Sequence, residues 1–244
     1  MKHHPFIRTL LYFAILLHLL LPFTVTSTAS VLSDAVFLGD STSNSLRFWG
    51  VLEGGRNTAA VWTGPDSTLS MWGLAEKEIG LTEGMKKAYG DRLQNARIKR
   101  IGQTDVLPLI DLSALIKPAK MVITLGVNGC ALMSKEDFKA EYTDLISALK
   151  KATPDTRIYL SSIFPVARHS RIKKDSLELA NGWIKEIALE QRLSFIDAYR
   201  HLCDADGYAP SELVDSADGI HWNQAGCRRI VAVFEKLMEE NEVE

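Results

Sequence analysis

A chain of 244 residues with 46% hydrophobic and 24% charged positions can bury a full core and is not a disordered or low-complexity protein. Its 28 basic and 30 acidic residues give a formal net charge of −2 with no polybasic block, which argues against nucleic acid or an anionic membrane surface as partner.

The first 29 residues read as a leader rather than part of the fold. Lys2 and Arg8 precede an apolar run from Thr9 to Phe23, broken by His18 and ended near Pro22, and Ser27-Thr28-Ala29 offers small residues for cleavage. This is the layout of a secretory signal peptide. The run is shorter than the roughly 20 residues of a spanning helix, so an uncleaved anchor is the lesser alternative. The sequence thus predicts residues 1–29 as signal peptide, residues 30–244 as one domain, and a secreted, periplasmic or cell-surface location with no stable membrane insertion after cleavage. Three cysteines, Cys130, Cys203 and Cys227, leave any pairing open. None forms a CxxC or Cys/His pattern that would suggest zinc.

Ala35-Val36-Phe37-Leu38-Gly39-Asp40-Ser41 reads as a short buried strand that stops at glycine and presents an acid and a serine. A helix over Ser43 to Leu52 follows, then a strand over Thr58 to Thr63 that closes on Gly64-Pro65-Asp66. Leu69 to Ala96 is expected to be helix and loop over one side of the sheet, Arg97 to Ile101 a short edge strand, and Val106 to Ile116 a helix stopped by Lys117-Pro118. Ala119 to Leu125 is the clearest strand and leads into Gly126-Val127-Asn128-Gly129. Ser134 and Asp137 cap a helix carrying Phe138, Tyr142, Leu145, Ile146 and Leu149 at helical spacing. A strand over Arg157 to Phe164, a helix over Lys174 to Gln191, a strand over Leu193 to Ala198, a loop over Asp204 to Gly219 and a final helix capped by Asn223 complete the chain. Strands alternating with helices at these spacings predict a five-stranded parallel sheet covered on both faces.

Chemistry can sit where strands end. Alone, Gly39-Asp40-Ser41 is as readily a turn with a helix cap as a nucleophile site, because these are the usual turn and cap residues. With the leader gone, His169, His201 and His221 remain as imidazole bases. His169 lies in the basic stretch Ala167 to Arg171, and His201 follows Tyr199-Arg200 with no acid just upstream. His221 lies in Asp218-Gly219-Ile220-His221, where Asp218 can fold back onto one ring nitrogen and leave the other to take a hydroxyl proton. Asn128, at the same sheet edge as Ser41, offers an amide donor for a developing oxyanion; an Asn-Gly turn is the plainer explanation. Trp222, beside His221, is a candidate for lining a cleft, while Trp49 and Trp62 suit the core.

Gly39-Asp40-Ser41, Gly126-Val127-Asn128 and Asp218-Gly219-Ile220-His221, in this order, resemble the motifs of the SGNH (GDSL-type) hydrolase superfamily across essentially the whole mature chain. The resemblance implies a flavodoxin-like three-layer α/β/α fold and a serine esterase without metal or cofactor. It casts Ser41 as nucleophile, His221 as base, Asp218 as its orienter, and Ser41 and Asn128 as oxyanion donors. A glycine N–H completes that set; Gly64 fits by its place after the second strand, and Gly102 is the rival. The first block reads GDST rather than GDSL, and Gly129 stands where many relatives have Asp. The expected activity is hydrolysis of a small acyl ester, acetyl above all, on a small molecule or glycan. An O-acyltransferase with the same residues and a non-catalytic glycan-binding module are the alternatives. Oligomeric state is not specified.

Overall fold

Five apolar segments become the parallel strands of one sheet in the computed structural model, which describes residues 30–242. They are β1 (Ala35–Gly39), β2 (Val61–Trp62), β6 (Lys120–Thr124), β7 (Arg157–Ser161) and β8 (Ser194–Ile196), in the spatial order β2-β1-β6-β7-β8, every neighbouring pair parallel. Counted within this sheet, the order is 2-1-3-4-5, the flavodoxin-like arrangement expected from the sequence. The expected leader lies outside the described residues, and the chain from Val31 onward forms one unit.

Side chains alternate across the strands and build two cores. Val36, Leu38, Met121 and Ile123 face one layer, with α3 (Leu109–Ile116), α4 (Lys135–Ala152) and α5 (Lys174–Gln191) packed on it. Phe37, Val122, Tyr159 and Ile196 face the other, covered by α1 (Ser41–Phe48), α6 (Ala198–Leu202) and α7 (Gln224–Glu242). Phe234 of α7 is fully buried, its ring centroid 5.3 Å from that of Phe37 and 6.0 Å from that of Phe164. Burying one such side chain is worth about 1.5–3 kcal/mol.

The helix boundaries follow local chemistry. Ser134 Oγ accepts from Asp137 N, which opens α4 as the sequence predicts, and the Asn223 side chain accepts from Gly226 N at the start of α7. Helix α5 has the predicted bounds. Helix α1 differs: it begins at Ser41 rather than Ser43 and stops at Phe48 rather than Leu52. Asp40 caps it by accepting from Thr42 N, and Gly50, with φ of 64°, takes the chain out of the helix.

The stretch between β2 and β6 departs most from expectation. A second, antiparallel sheet forms there from β3 (Glu78–Gly80), β4 (Lys99–Ile101) and β5 (Thr104–Pro108), in the order β3-β5-β4, alongside α2 (Glu83–Leu93). Arg97 to Ile101 is therefore edge to this small sheet and not to the parallel one. Val106-Leu107 is strand, not helix. Val106 pairs with Gly80 and Lys99 and Leu107 with Ile79, and Pro108 favours extended backbone at the residue before it and caps α3.

Candidate active site

In α/β sheets of this kind, ligands sit outside the carboxyl ends of the strands at the point where strand order reverses. Here that point lies between β1 and β6. Gly39 pairs with Thr124 across it and Leu38 pairs with Trp62 on the other side, so the chains leaving β1, β2 and β6 emerge side by side, about 4.8 Å between strands. The three loops carry Ser41, the Gly64 segment and Asn128.

Ser41 is the first residue of α1 and is half-buried. Its N–H belongs to the first helical turn, whose backbone donors have no partner within the helix, and none of the described residues bonds to its Oγ. Gly39 leaves no alternative residue at its own position: a Cβ there would stand 2.1 Å from Ser43 Oγ and 2.3 Å from Thr124 Oγ1.

Asp40 lies beneath this serine, 1% exposed. One carboxylate oxygen accepts from Thr42 N at 3.0 Å and from Thr42 Oγ1 at 2.7 Å, while the other is buried without a partner. Burial pushes this carboxyl up to about 6, against the opposing pull of the Thr42 bonds and of the nearby His221 charge. The folded state therefore holds a proton that the unfolded chain has released, and the cost appears as pH rises from about 3.8 to about 6. The shift corresponds to roughly 3 kcal/mol. Asp40→Asn is expected to raise unfolding free energy by about 1–3 kcal/mol at pH 7, with the gain shrinking towards zero near pH 4. Urea unfolding of both proteins across that range checks it; a pH-independent difference would contradict the assignment.

Asp218 and His221 meet as the sequence predicts. Their contact, Asp218 Oδ2 to His221 Nδ1, is 2.6 Å, and Asp218 Oδ1 accepts from the N–H groups of Ile220 at 2.7 Å and His221 at 3.0 Å. Burial raises the Asp218 carboxyl, but the ring and backbone donors outweigh that and hold it below the usual carboxylate value. Both side chains are 39% exposed, so substrate can reach them. The loop is fixed by Asp215 N to His221 O at 2.7 Å and by Ala167 N to Gly219 O at 2.7 Å. Gly219, at φ 65°, could not carry a side chain, since its Cβ would stand 2.9 Å from both Ala167 Cβ and His169 Nε2.

A hydrogen bond ties this loop to the helix that Ser41 begins: Trp49, the residue capping the C-terminus of α1, donates from Nε1 to Trp222 O at 3.0 Å. Trp222 itself is 1% exposed and packs on Phe164, so it belongs to the core and does not line a cleft. His169 and His201 are exposed, and neither pairs with a carboxylate among the described residues. The cysteines are free, with Cys130 and Cys227 buried and, by that burial, pushed up to about 11 and about 12.

The oxyanion residues are placed less simply. Asn128 is exposed, and its Nδ2 donates to Thr68 Oγ1 at 3.0 Å and to Leu69 O at 2.9 Å. The Gly64 N–H is taken by Thr68 O at 3.0 Å, so this expected donor is committed within its own turn. The rival, Gly102, is the exposed turn between β4 and β5 of the antiparallel sheet and is not at the parallel sheet's edge. Thr68 was not singled out by sequence. Nothing in Gly64-Pro65-Asp66-Ser67-Thr68 separates it from an ordinary turn residue.

A flavodoxin-like three-layer sandwich with Gly-Asp-Ser at its switch point defines the class as an SGNH-type hydrolase of ester bonds. The chain belongs to the GDSL-like Lipase/Acylhydrolase family, whose model matches residues 37–229. No curated protein matches the sequence. Among solved structures, a GDSL-like lipase from Bacteroides thetaiotaomicron is 14% identical with a TM-score of 0.50, over 85% of this chain and 86% of its own. A candidate acylhydrolase from Bacteroides fragilis is 15% identical with a TM-score of 0.52, over 85% of both chains. These share the fold. A peptidoglycan O-acetylesterase structure, 13% identical at a TM-score of 0.47, matches 54% of this chain, which spans only 40% of that protein's length.

Proposed function

We propose that the protein is an exported serine esterase that removes a small acyl group, most simply acetyl, from a carbohydrate. The observation that carries the reading is the 2.6 Å Asp218–His221 pair, held at the loop that packs against the helix beginning at Ser41. His221 Nε2 takes the proton of Ser41 Oγ as that oxygen bonds to the ester carbonyl carbon. The tetrahedral intermediate collapses, the imidazolium returns the proton to the leaving alcohol, and an acyl-Ser41 ester remains. Water then attacks this ester, His221 taking its proton and passing it back to Ser41 Oγ as the carboxylic acid leaves. Asp218 stays ionised throughout, which fixes the ring tautomer and stabilises the imidazolium. Ser41 Oγ neither accepts a hydrogen bond from His221 nor donates one to it in the unliganded protein, and catalytic bonds of this kind commonly form or tighten in the substrate complex.

Export rests on the leader pattern in residues 1–29; among the described residues no helix is long and apolar enough to cross a membrane. An exported esterase meets acylated glycans outside the cytoplasm, and the half-exposed Asp218–His221 pair leaves room for a bulky alcohol half. Acid release from a panel of O-acetylated glycans, set beside aryl esters of lengthening acyl chain, tests the substrate class. Acetylated glycans should be turned over best, with a fall beyond short chains. Preference for long-chain esters, or no turnover of any acetylated glycan, would overturn it.

A further inference from the structure

The basic stretch that follows β7 takes no part in the chemistry described above, yet it lies against the loop that does. Parallel strands end at one edge of their sheet, so the chain leaving β7 emerges at the same edge as those leaving β1 and β6. Arg168-His169-Ser170-Arg171-Ile172-Lys173-Lys174 holds five basic residues and no acid, in a chain whose formal net charge is −2. Its local charge is thus opposite to that of the whole. Ala167 N donates to Gly219 O at 2.7 Å. A Cβ built on Gly219 would stand 2.9 Å from His169 Nε2 and 3.1 Å from His169 Cε1, so the imidazole lies on Gly219, the neighbour of Asp218. With successive Cα atoms about 3.8 Å apart, His169 Nε2 is within about 12 Å of the His221 Cα. A short oligosaccharide held by its ester at Ser41 spans that distance.

Some of these charges are already engaged. Arg168 pairs with Asp204 and Asp206 and lies 4.5 Å from the centroid of the Tyr208 ring, and Lys174 reaches Glu178 at 3.5 Å. Between these anchors Ser170 N closes a turn onto Ala167 O at 3.0 Å, and Ile172 N donates to Ser170 Oγ at 3.1 Å. His169 and Arg171 are exposed on that fixed turn, and among the described residues neither side chain has an ion-pair or hydrogen-bond partner. Asp218, on the facing loop, is engaged by His221. A guanidinium is always charged and its fork fits a carboxylate or phosphate, and an imidazole N–H is a further donor. A positive rim beside the catalytic loop favours an anion over a neutral ring.

We infer that His169 and Arg171 form an anion subsite for the alcohol half of the substrate, so that the preferred ester stands on a glycan that also carries a carboxylate or a phosphate. This deepens the esterase reading and rests on it. Contacts to a part of the substrate that does not react are made equally in the bound ester and the transition state, so their loss raises KM and spares kcat.

The test is acetate release from two matched pairs: O-acetylated oligogalacturonate with free against methyl-esterified carboxylates, and O-acetylated glucose 6-phosphate against O-acetylated glucose. In at least one pair the anionic member should have a kcat/KM about 10-fold above its neutral partner. Salt at 1 M, where charges are screened beyond about 3 Å, should close most of that gap. Arg171→Ala and His169→Ala should each lower the anionic-to-neutral ratio by about 3–10-fold, through KM. Arg171→Glu should abolish the preference. Lys151→Ala, an exposed lysine where α4 leads towards the start of β7 and so at the far edge of the sheet, should keep the wild-type ratio. Which pair responds tells carboxylate from phosphate. A ratio of one or less in both pairs, or Arg171 variants that keep the wild-type ratio, would overturn the inference and leave the esterase in place. An equal loss on both members in His169→Ala would mark packing on Gly219 and remove that residue from the subsite. No acetate from any of the substrates, or undiminished release by Ser41→Ala, would instead overturn the esterase reading beneath it.

Discussion

Ser41→Ala is expected to lower kcat for a chromogenic acetate ester by about 10⁴–10⁶-fold, or about 5–8 kcal/mol of transition-state stabilisation. The change removes one oxygen atom and little else. Alanine is a strong helix former and keeps the backbone N–H at the start of α1, while the cap from Asp40 to Thr42 does not involve the serine side chain. The oxyanion donors and His221 therefore survive, and the residual rate reports them acting on water without a covalent step. Thermal unfolding should be within experimental error of wild type. A variant that folds and keeps more than about a tenth of the rate would remove Ser41 from the mechanism.

Asp218→Asn is the second large effect, about 10⁴-fold on kcat. Asparagine has the same shape, and its Oδ1 can go on accepting from the N–H groups of Ile220 and His221, so the loop persists. Its amide, however, presents N–H where Oδ2 now faces His221 Nδ1. Nδ1 must then accept, the ring proton moves to Nε2, and the nitrogen that should take the Ser41 proton is blocked. Wild-type Asp218 is held below the usual carboxylate value, so it remains charged through mildly acidic solution. Its contribution to stability is present above its unfolded value and disappears as pH falls through the folded one. With 39% of the side chain exposed, solvent screens that contribution and the kinetic loss is the measurement to make. Full kcat in Asp218→Asn at pH 7 would show that the imidazole needs no carboxylate.

Much of this arrangement is legible in the sequence because its parts are local. Asp218 and His221 are three residues apart, and one turn is enough to bring them together. The strands at β1 and β6 announce themselves as apolar runs ending in glycine, and α4 and α5 carry long helical stripes. From the alternation of strands and helices the parallel sheet follows, and with it the convergence of Ser41 and Asn128 at one edge. The stretch from Leu69 to Pro108 is opaque for the opposite reason. Glu78–Gly80 and Lys99–Ile101 are strands of three residues, too short to show alternation, and they exist because they pair with β5. Only Pro108 speaks locally, by disfavouring helical backbone at Leu107.

Partnership and burial are harder to read. Nothing in Gly39-Asp40-Ser41 tells that Asp40 is sealed from water with one oxygen unpaired, since that depends on what packs across the switch point. Trp222 has the composition of a cleft residue and the surroundings of a core one. The Gly64 N–H is spent within its own turn, and the hydroxyl of Thr68 stands beside Asn128 only because residues 60 apart in sequence are brought together.

The most direct test of the account is to label the nucleophile covalently. Wild-type protein treated with an organophosphonate ester probe, digested and mapped by mass spectrometry should carry one adduct, on the peptide containing Ser41. Ser41→Ala should carry none, and labelling of Asp218→Asn should be slowed in step with its kcat. An adduct on another residue, or none on folded and active enzyme, would contradict the central assignment.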